Sequence, residues 1–347
     1  MIAESFGFDF FIYNNSLKRV FYSALLIVLF ISCKKNIDDL PDNIDNNTSK
    51  FTLLNSFNSP LPSDNINCVF IDDQGKKWIG TDSGFVVLYG SEWTVFDTSN
   101  SGLPDNNVND ILVIPPSTVW IGTNKGLVKF DGNYWTVYKM ANSEIPSDRI
   151  RSLATDADQN LWLGTFSGGG LAKYDGANWT VFTPSNSGLP NNSVSKITID
   201  QYDTLWIATG GGMAKFDGNS GWTVYNPGNS GISSPSVYSV TIDMQNNKWI
   251  GTNSGLDRFD NVNWVNYNSQ NSQLPIDLIR PITLAENNLL WIGTEGGGLV
   301  QFDGINWKVF NINNSNLPSN YVKAIAIGVG GEKWIGTMGG GIAILQE

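Results

Sequence analysis

Histidine is missing altogether from this 347-residue chain. That absence removes the side chain hydrolases most often use as general base, and the commonest ligand of catalytic zinc. Cysteine is almost as scarce, with Cys33 and Cys68 the two in the chain. Two are too few for a disulfide framework or a paired CxxC metal site. Cys68 stands inside Ile66-Asn67-Cys68-Val69-Phe70-Ile71, where a small, buried strand residue is expected. Charge is thin, at 15 %, and unbalanced: 21 Lys and Arg against 32 Asp and Glu, a net −11. Such a chain repels nucleic acid and anionic lipid surfaces at long range, so neither is an expected partner. Neutral or cationic ligands suit the overall charge better. The apolar run Val20–Ile31 is twelve residues long, short of the roughly 20 that a permanent spanning helix needs.

What that run does have is the order of a secretion signal. Lys18 and Arg19 precede it, and Ser32-Cys33-Lys34-Lys35 follows. A positive segment, a short apolar segment and a small residue before the cut make a signal peptide. With Cys33 first after the small residue, the segment resembles a bacterial lipoprotein signal, with Phe30 where a leucine is usual. The resemblance implies acylation of Cys33, which becomes the mature N-terminus and ties the protein to a membrane of the cell envelope, with the outer membrane expected. Residues 1–33 are therefore read as leader plus lipidation site, residues 1–16 as an upstream extension. Residues 34–50, rich in Asn and Asp, bury nothing and are expected to be a tether.

From residue 51 onward one unit is written seven times. Trp-Ile-Gly-Thr or a near copy begins at Trp78, Trp120, Trp162, Trp206, Trp249, Trp291 and Trp334, every 42 to 44 residues. A second tryptophan follows at Trp93, Trp135, Trp179, Trp222, Trp264 and Trp307. An Asn-Ser pair recurs at Asn58, Asn100, Asn142, Asn186, Asn229, Asn271 and Asn314, generally before Leu-Pro or Ile-Pro. In the fourth copy, residues 194–200, 205–209, 213–216 and 222–225 read as strands a to d, with Asp217-Gly218 as a hairpin signal. Four strands in this period make a propeller blade. One blade cannot cover both of its faces, so the ring must close. After Trp334 comes Ile342-Ala343-Ile344-Leu345 and then no fourth strand. Phe51-Thr52-Leu53-Leu54, in register with the strand-d tryptophans, is expected to supply it. The expected fold is thus an all-β, closed, seven-bladed propeller over residues 51–347, monomeric, whose 13 tryptophans are spent on cohesion.

The motifs Trp-Ile-Gly-Thr-x-x-Gly-Gly-Leu, Phe-Asp-Gly-x-x-Trp and Asn-Ser-x-Leu-Pro-x-x-x-Val resemble the two-component regulator propeller repeat over residues 51–346. In that family the propeller is typically the periplasmic sensing part of hybrid histidine kinases of the Bacteroidetes, many of which respond to polysaccharides. Here no second membrane segment, further domain or kinase is apparent, so the resemblance implies the scaffold and envelope binding of a glycan or protein, not signalling.

Constant positions are explained by packing and turns, so candidate function is sought where the copies differ. The residue after the opening Val or Ile of strand a is Asn67, Asn109, Arg151, Ser195, Tyr238, Arg280 and Lys323 in turn. These are polar, different, and expected at the channel mouth, where they suit sugar hydroxyls or a carboxylate. The loop after Trp-Ile-Gly-Thr on the same face carries Asp82, Lys125, Phe166, Glu295 and Met338 among small residues. Phe166 with Met338 is an expected apolar contact, and Glu295 with Asp82 a cation contact or carboxylate pair. The glycine runs there (168–170, 210–212, 296–298, 339–341) lie between strands and read as turns, not phosphate cradles, so no cofactor is expected. On the opposite face Asp131, Asp175, Asp217, Asp260 and Asp303 occur one per blade. They read as type I′ turns rather than calcium ligands.

Without histidine, a non-catalytic binder is the expected function. A glycan-binding lipoprotein comes first and a protein-interaction scaffold in an envelope complex second. Carboxylate-dependent carbohydrate chemistry ranks last.

Overall fold

Runs of β-branched and aromatic residues, punctuated by Gly, Asn, Asp and Pro, become strands and tight turns throughout. The computed structural model describes residues 51–166 and 168–346. They form seven four-stranded antiparallel sheets. The one helical element among the described residues is a 3₁₀ turn, Glu286–Asn288. The leader, Cys33 and the tether lie outside the described residues. No helix among those described is long and apolar enough to cross a membrane.

Blade 1 consists of strand a (Ile66–Ile71), b (Lys77–Thr81), c (Gly84–Tyr89) and d (Glu92–Phe96). Strand a of blades 2 to 7 is Val108–Ile114, Ile150–Thr155, Val194–Ile199, Val237–Ile242, Ile279–Leu284 and Val322–Ile327. Successive a strands pack against one another, that of blade 7 against that of blade 1, so the ring is complete. The seven-bladed propeller expected from the period is the fold found. Strand a of blade 4 stops at Ile199 because Asp200 already belongs to the turn, and strand c starts at Gly212, opposite Thr209.

Blades meet through the opening Val or Ile of each strand a, fully buried in every copy. At six of the seven joints that side chain lies on the glycine of Trp-Ile-Gly-Thr in the preceding blade. A Cβ on Gly164 would come 2.5 Å from Val194 Cγ1. A side chain there would force the sheets apart; blade 4 alone has one, the methyl of Ala208, packed in the same cluster as Val237 of blade 5.

The strand-b tryptophans are all buried. Those of strand d are only half-buried, a correction to the expectation that every tryptophan is core: strand d is the outer edge of its blade. Five of the six rings instead stack on the facing strand-c aromatic, Trp307 on Phe302 at 3.8 Å and Trp222 on Phe216 at 4.1 Å, while Trp93 faces Leu88. Four buried indoles donate to an aspartate six residues earlier in the a–b turn. These are Trp78 to Asp72, Trp162 to Asp156, Trp206 to Asp200 and Trp249 to Asp243, at 2.8–3.2 Å.

The seven Asn-Ser pairs are turn clamps. Each asparagine Nδ2 donates to the strand-d carbonyl five residues back at 2.9–3.0 Å. At the c–d hairpins, Asp131, Asp175, Asp217, Asp260 and Asp303 each accept backbone N–H bonds from their own turn. These bonds hold the carboxyls below the usual carboxylate range. Positive φ occurs at the first central residue alone, Gly132, Gly176, Gly218, Asn261 or Gly304. A type I′ turn needs two such residues, so the expected turn type is corrected: the carboxylate's own hydrogen bonds hold the second central residue at negative φ.

At the seam the last described strand meets the first. Phe51–Leu54 pairs antiparallel with Ile342–Leu345, Phe51 opposite Leu345, and completes blade 7. Phe51 packs edge-on against Phe310 of blade 6 at 5.8 Å.

Candidate functional site

In every blade the register of strands a and b slips just after the opening residue of strand a. The residue at the slip is Asn67, Asn109, Arg151, Ser195, Tyr238, Arg280 or Lys323, the variable position itself. An extra residue in one strand bends it and re-aims the side chain. Here seven such irregularities deliver seven different polar side chains to one axial cavity of about 840 Å³, which all seven line.

Two of the seven serve the scaffold as well. Asn67 Nδ2 donates to Asn107 Oδ1 and to the Val108 carbonyl of the next blade, and Asn109 Nδ2 to Asn124 Oδ1 and the Ile150 carbonyl. Their amide protons are spent on blade joints and their carbonyl oxygens carry no described bond.

On the opposite arc, the Arg280 guanidinium lies 4.0 Å from the centre of the Tyr238 ring. Its Nε is 2.8 Å from Glu295 Oε1. The N–H is not aimed at that oxygen, so the contact is an ion pair rather than a linear hydrogen bond. Lys323 Nζ approaches the same oxygen at 3.7 Å. Across the channel, Lys196 Nζ stands 3.5 Å from Asp110 Oδ2, which also accepts the Leu153 N–H at 2.9 Å. Arg151 differs from all of these. Among the described residues no carboxylate and no hydrogen-bond acceptor meets its guanidinium, which rests 5.2 Å from the centre of the Phe166 ring, with Arg149 4.8 Å from that centre. Burial, and then the nearby charge of Arg280, push its pKa below that of a free arginine, while the charge of Glu295, beyond contact distance, opposes the fall.

Of the five loop candidates, Phe166 alone lines the cavity. It does not meet Met338: Phe166 belongs to blade 3 and is taken by two arginines, while Met338 belongs to blade 7 and is exposed. Glu295 and Asp82 form no pair either, because each is engaged nearer home. Glu295 serves Arg280 and Lys323, while Asp82 accepts Asn65 Nδ2 at 2.8 Å and the Ser83 hydroxyl at 3.2 Å. Burial opposes ionisation of Asp82, but hydrogen bonds from Ser63, Asn65 and Ser83 outweigh it and lower its pKa. Lys125 is exposed and lies 3.9 Å from Asp105.

Sequence reasoning missed Asp110 and Lys196, one residue beyond the variable position. A comparison of that next column, Cys68, Asp110, Ser152, Lys196, Ser239, Pro281 and Ala324, would have shown the two charges. It also missed a polar cluster inside blade 5. Where other copies have Val or Ala, Val or Leu, and Pro, this blade has Asp257, Asn266 and Ser233. Asp257 is fully buried. Its carboxylate accepts the Ser233 N–H at 2.8 Å, the Ser233 hydroxyl at 3.0 Å and Asn266 Nδ2 at 2.7 Å. Burial raises its pKa, and those hydrogen bonds oppose the rise in part.

The two-component regulator propeller family matches residues 144–167 and 188–211. No curated protein sequence matches the chain closely enough to count as a relative. Among solved structures it is similar to the extracellular domain of a hybrid two-component system of B. thetaiotaomicron. The TM-score is 0.73 and identity 21 %, over 86 % of this chain and 42 % of that one. It is similar to PorZ, a surface component of the type-IX secretion system of Porphyromonas gingivalis (TM-score 0.67, 20 % identity, 82 % of this chain and 46 % of that one). Virginiamycin B lyase of Staphylococcus aureus is a third (TM-score 0.69, 14 % identity, 86 % of this chain and 99 % of that one). A solved variant of that lyase, made inactive, has a histidine replaced by alanine. The chain thus spans less than half the length of the first two, and likeness at these identities shows the fold alone.

Proposed function

We propose that this chain, which carries the two-component regulator propeller repeat, is a non-catalytic ligand-binding propeller of the cell envelope that takes a glycan or similar extracytoplasmic ligand at its axial mouth. The observation that carries the reading is the convergence of seven unlike polar side chains on one cavity, each from the same irregularity in its own blade. Carbonyl and hydroxyl oxygens mixed with cations in a concave site suit a polyhydroxylated ligand. The lyase similarity does not carry its chemistry here, since this chain has no histidine and Asp82 and Glu295 are each engaged elsewhere. Retention on a polysaccharide array tests the reading. Selective binding, abolished by Arg151→Ala with Arg280→Ala, is expected, and a double variant that binds like the parent sinks it.

The envelope location rests on the leader and on similarity to proteins described as extracellular or surface components. Anchoring by lipid on Cys33, in the outer membrane, is tested by Cys33→Ala. The variant is expected in the soluble fraction, and unchanged membrane fractionation argues against the anchor.

A second reading, docking to an envelope protein, is favoured by the opposite face. There the a–b turns expose Tyr202, Met244 and Val329, and the c–d turns expose Val262 and Ile305. Co-purification of a defined envelope protein in detergent, lost on Met244→Asp with Val262→Asp and indifferent to glycans, supports that reading over the first.

A further inference from the structure

We infer that the ligand at the axial mouth carries a carboxylate that seats on Arg151. The inference rests on the reading of the mouth as a saccharide site and narrows it to acidic saccharides. The charge balance points this way. A chain of net −11 gathers Arg151, Lys196, Arg280 and Lys323 at one opening, against Asp110 and Glu295. Both acids are already taken. Asp110 holds Lys196 and a backbone N–H, and Glu295 holds Arg280 and Lys323. Arg151 is the cation with no carboxylate in contact, feeling Glu295 only at a distance, and a partly buried guanidinium so placed is costly, the more so near a second one.

Its geometry is also prepared. Phe166 packs against both Arg149 and Arg151, which limits the rotamers of Arg151 before any ligand arrives. A guanidinium held in this way offers a planar fork that matches a carboxylate with two parallel hydrogen bonds. Around it the cavity asks for different chemistry. Asn67 and Asn109 have spent their amide protons and leave only carbonyl oxygens, and the Ser195 hydroxyl lines the same space. Carbonyl acceptors repel a second anion and accept from hydroxyls. One carboxylate among several hydroxyls describes a uronic acid residue. A peptide C-terminus supplies the carboxylate but few hydroxyls, and is the less complementary occupant.

The test is titration calorimetry on the full chain in detergent. Its probes are oligomers of galacturonate, glucuronate and mannuronate, their carboxyl-reduced neutral counterparts, and a short peptide with a free or an amidated C-terminus. At least one oligouronate is expected to bind, at least tenfold more tightly than its reduced counterpart, and to weaken in high salt. Arg151→Gln, checked for an unchanged thermal midpoint, is expected to lose about ten- to a hundredfold, the range for a charged hydrogen-bonded pair. Arg151→Lys recovers only part of that loss. Reduced oligomers that bind as well as the acids, or an Arg151→Gln variant that binds oligouronate like the parent, overturn the inference while the saccharide site stands. No retention of any saccharide, or preference for the free-carboxyl peptide, overturns both.

Discussion

Asn316 and Phe51, 265 residues apart, exchange two hydrogen bonds: Asn316 Nδ2 donates to the Phe51 carbonyl at 2.9 Å, and its Oδ1 accepts the Phe51 N–H at 3.3 Å. At the same turn position Gly102, Gly188 and Gly231 lie against the strand-d tryptophan of the blade that follows, where a Cβ would come within 2.5 Å. Blade 7 has Phe51 in place of tryptophan, and Asn316 fills the room with two bonds to the chain's first described strand. Asn316→Ala is therefore expected to cost about 1–3 kcal/mol. It should lower the denaturant midpoint without changing the slope. A midpoint equal to the parent's would show that strand pairing alone holds the seam.

The polar cluster of blade 5 makes two opposite predictions. Asp257→Ala removes the acceptor of three hydrogen bonds and leaves a cavity at a fully buried position; the half-buried Ser233 and Asn266 keep only Thr252 Oγ1 and the Gly231 carbonyl as partners, and the variant is expected to destabilise by about 1–3 kcal/mol. Restoring the repeat with Asp257→Val, Asn266→Val and Ser233→Pro together is expected to be neutral or stabilising by about 1–4 kcal/mol, as when buried charged groups give way to apolar packing. The pH dependence carries a definite sign. Because the folded pKa of Asp257 is raised, the folded state binds its proton more tightly. The stability this contributes is full below the ordinary carboxylate pKa and is lost as pH rises through the folded value. The triple variant should lack that falling limb in urea titrations across the acid range.

Lys248 is 1 % exposed, with its Nζ bonded to the Asn246 carbonyl at 2.8 Å and lying 4.3 Å from the centre of the Trp206 ring. Burial brings its pKa down to about 8. Lys215 adds to the fall, while Asp200 and Asp243 oppose it. Below pH 8 both states are protonated and the folded state bears the cost in full. Between about 8 and the free-lysine value of 10.5 the folded state has released a proton that the unfolded state keeps, so stability rises with pH. Lys248→Leu, the residue blades 3, 4 and 6 use, is expected to abolish that rise. Persistence of the rise would assign it to another group.

The buried indole of Trp291 has no described hydrogen-bond partner. Six residues earlier, where four other blades place an aspartate, stands Ala285, whose N–H bonds the Leu289 carbonyl much as Asp156 bonds Asn160. Ala285→Asp should supply the missing acceptor and raise stability by about 1 kcal/mol, whereas Asp156→Ala should lower it by about 1–3 kcal/mol. Both are read as shifts in thermal midpoint, and an Ala285→Asp variant no more stable than the parent would show that the turn of blade 6 cannot present the carboxylate.

The order of strands, the count of blades and the seam between residues 51–54 and 342–345 were all legible in the chain, because a repeat of 42 to 44 residues repeats its turn chemistry along with its strands. A polar position that varies from blade to blade directly after a constant Val or Ile was equally visible, and it marks the seven residues of the mouth. What only the tertiary structure decided was which of them touch. The slip in register that turns each side chain to the axis leaves no local signature in residue type. The partners Glu295, Phe166 and Asp110 come from other strands or other blades, brought within a few ångströms by ring closure. For the same reason the charges of the mouth appeared in the sequence as seven separate variations. It is their placement around one opening, with the two acids already held by other cations, that leaves Arg151 with no carboxylate in contact.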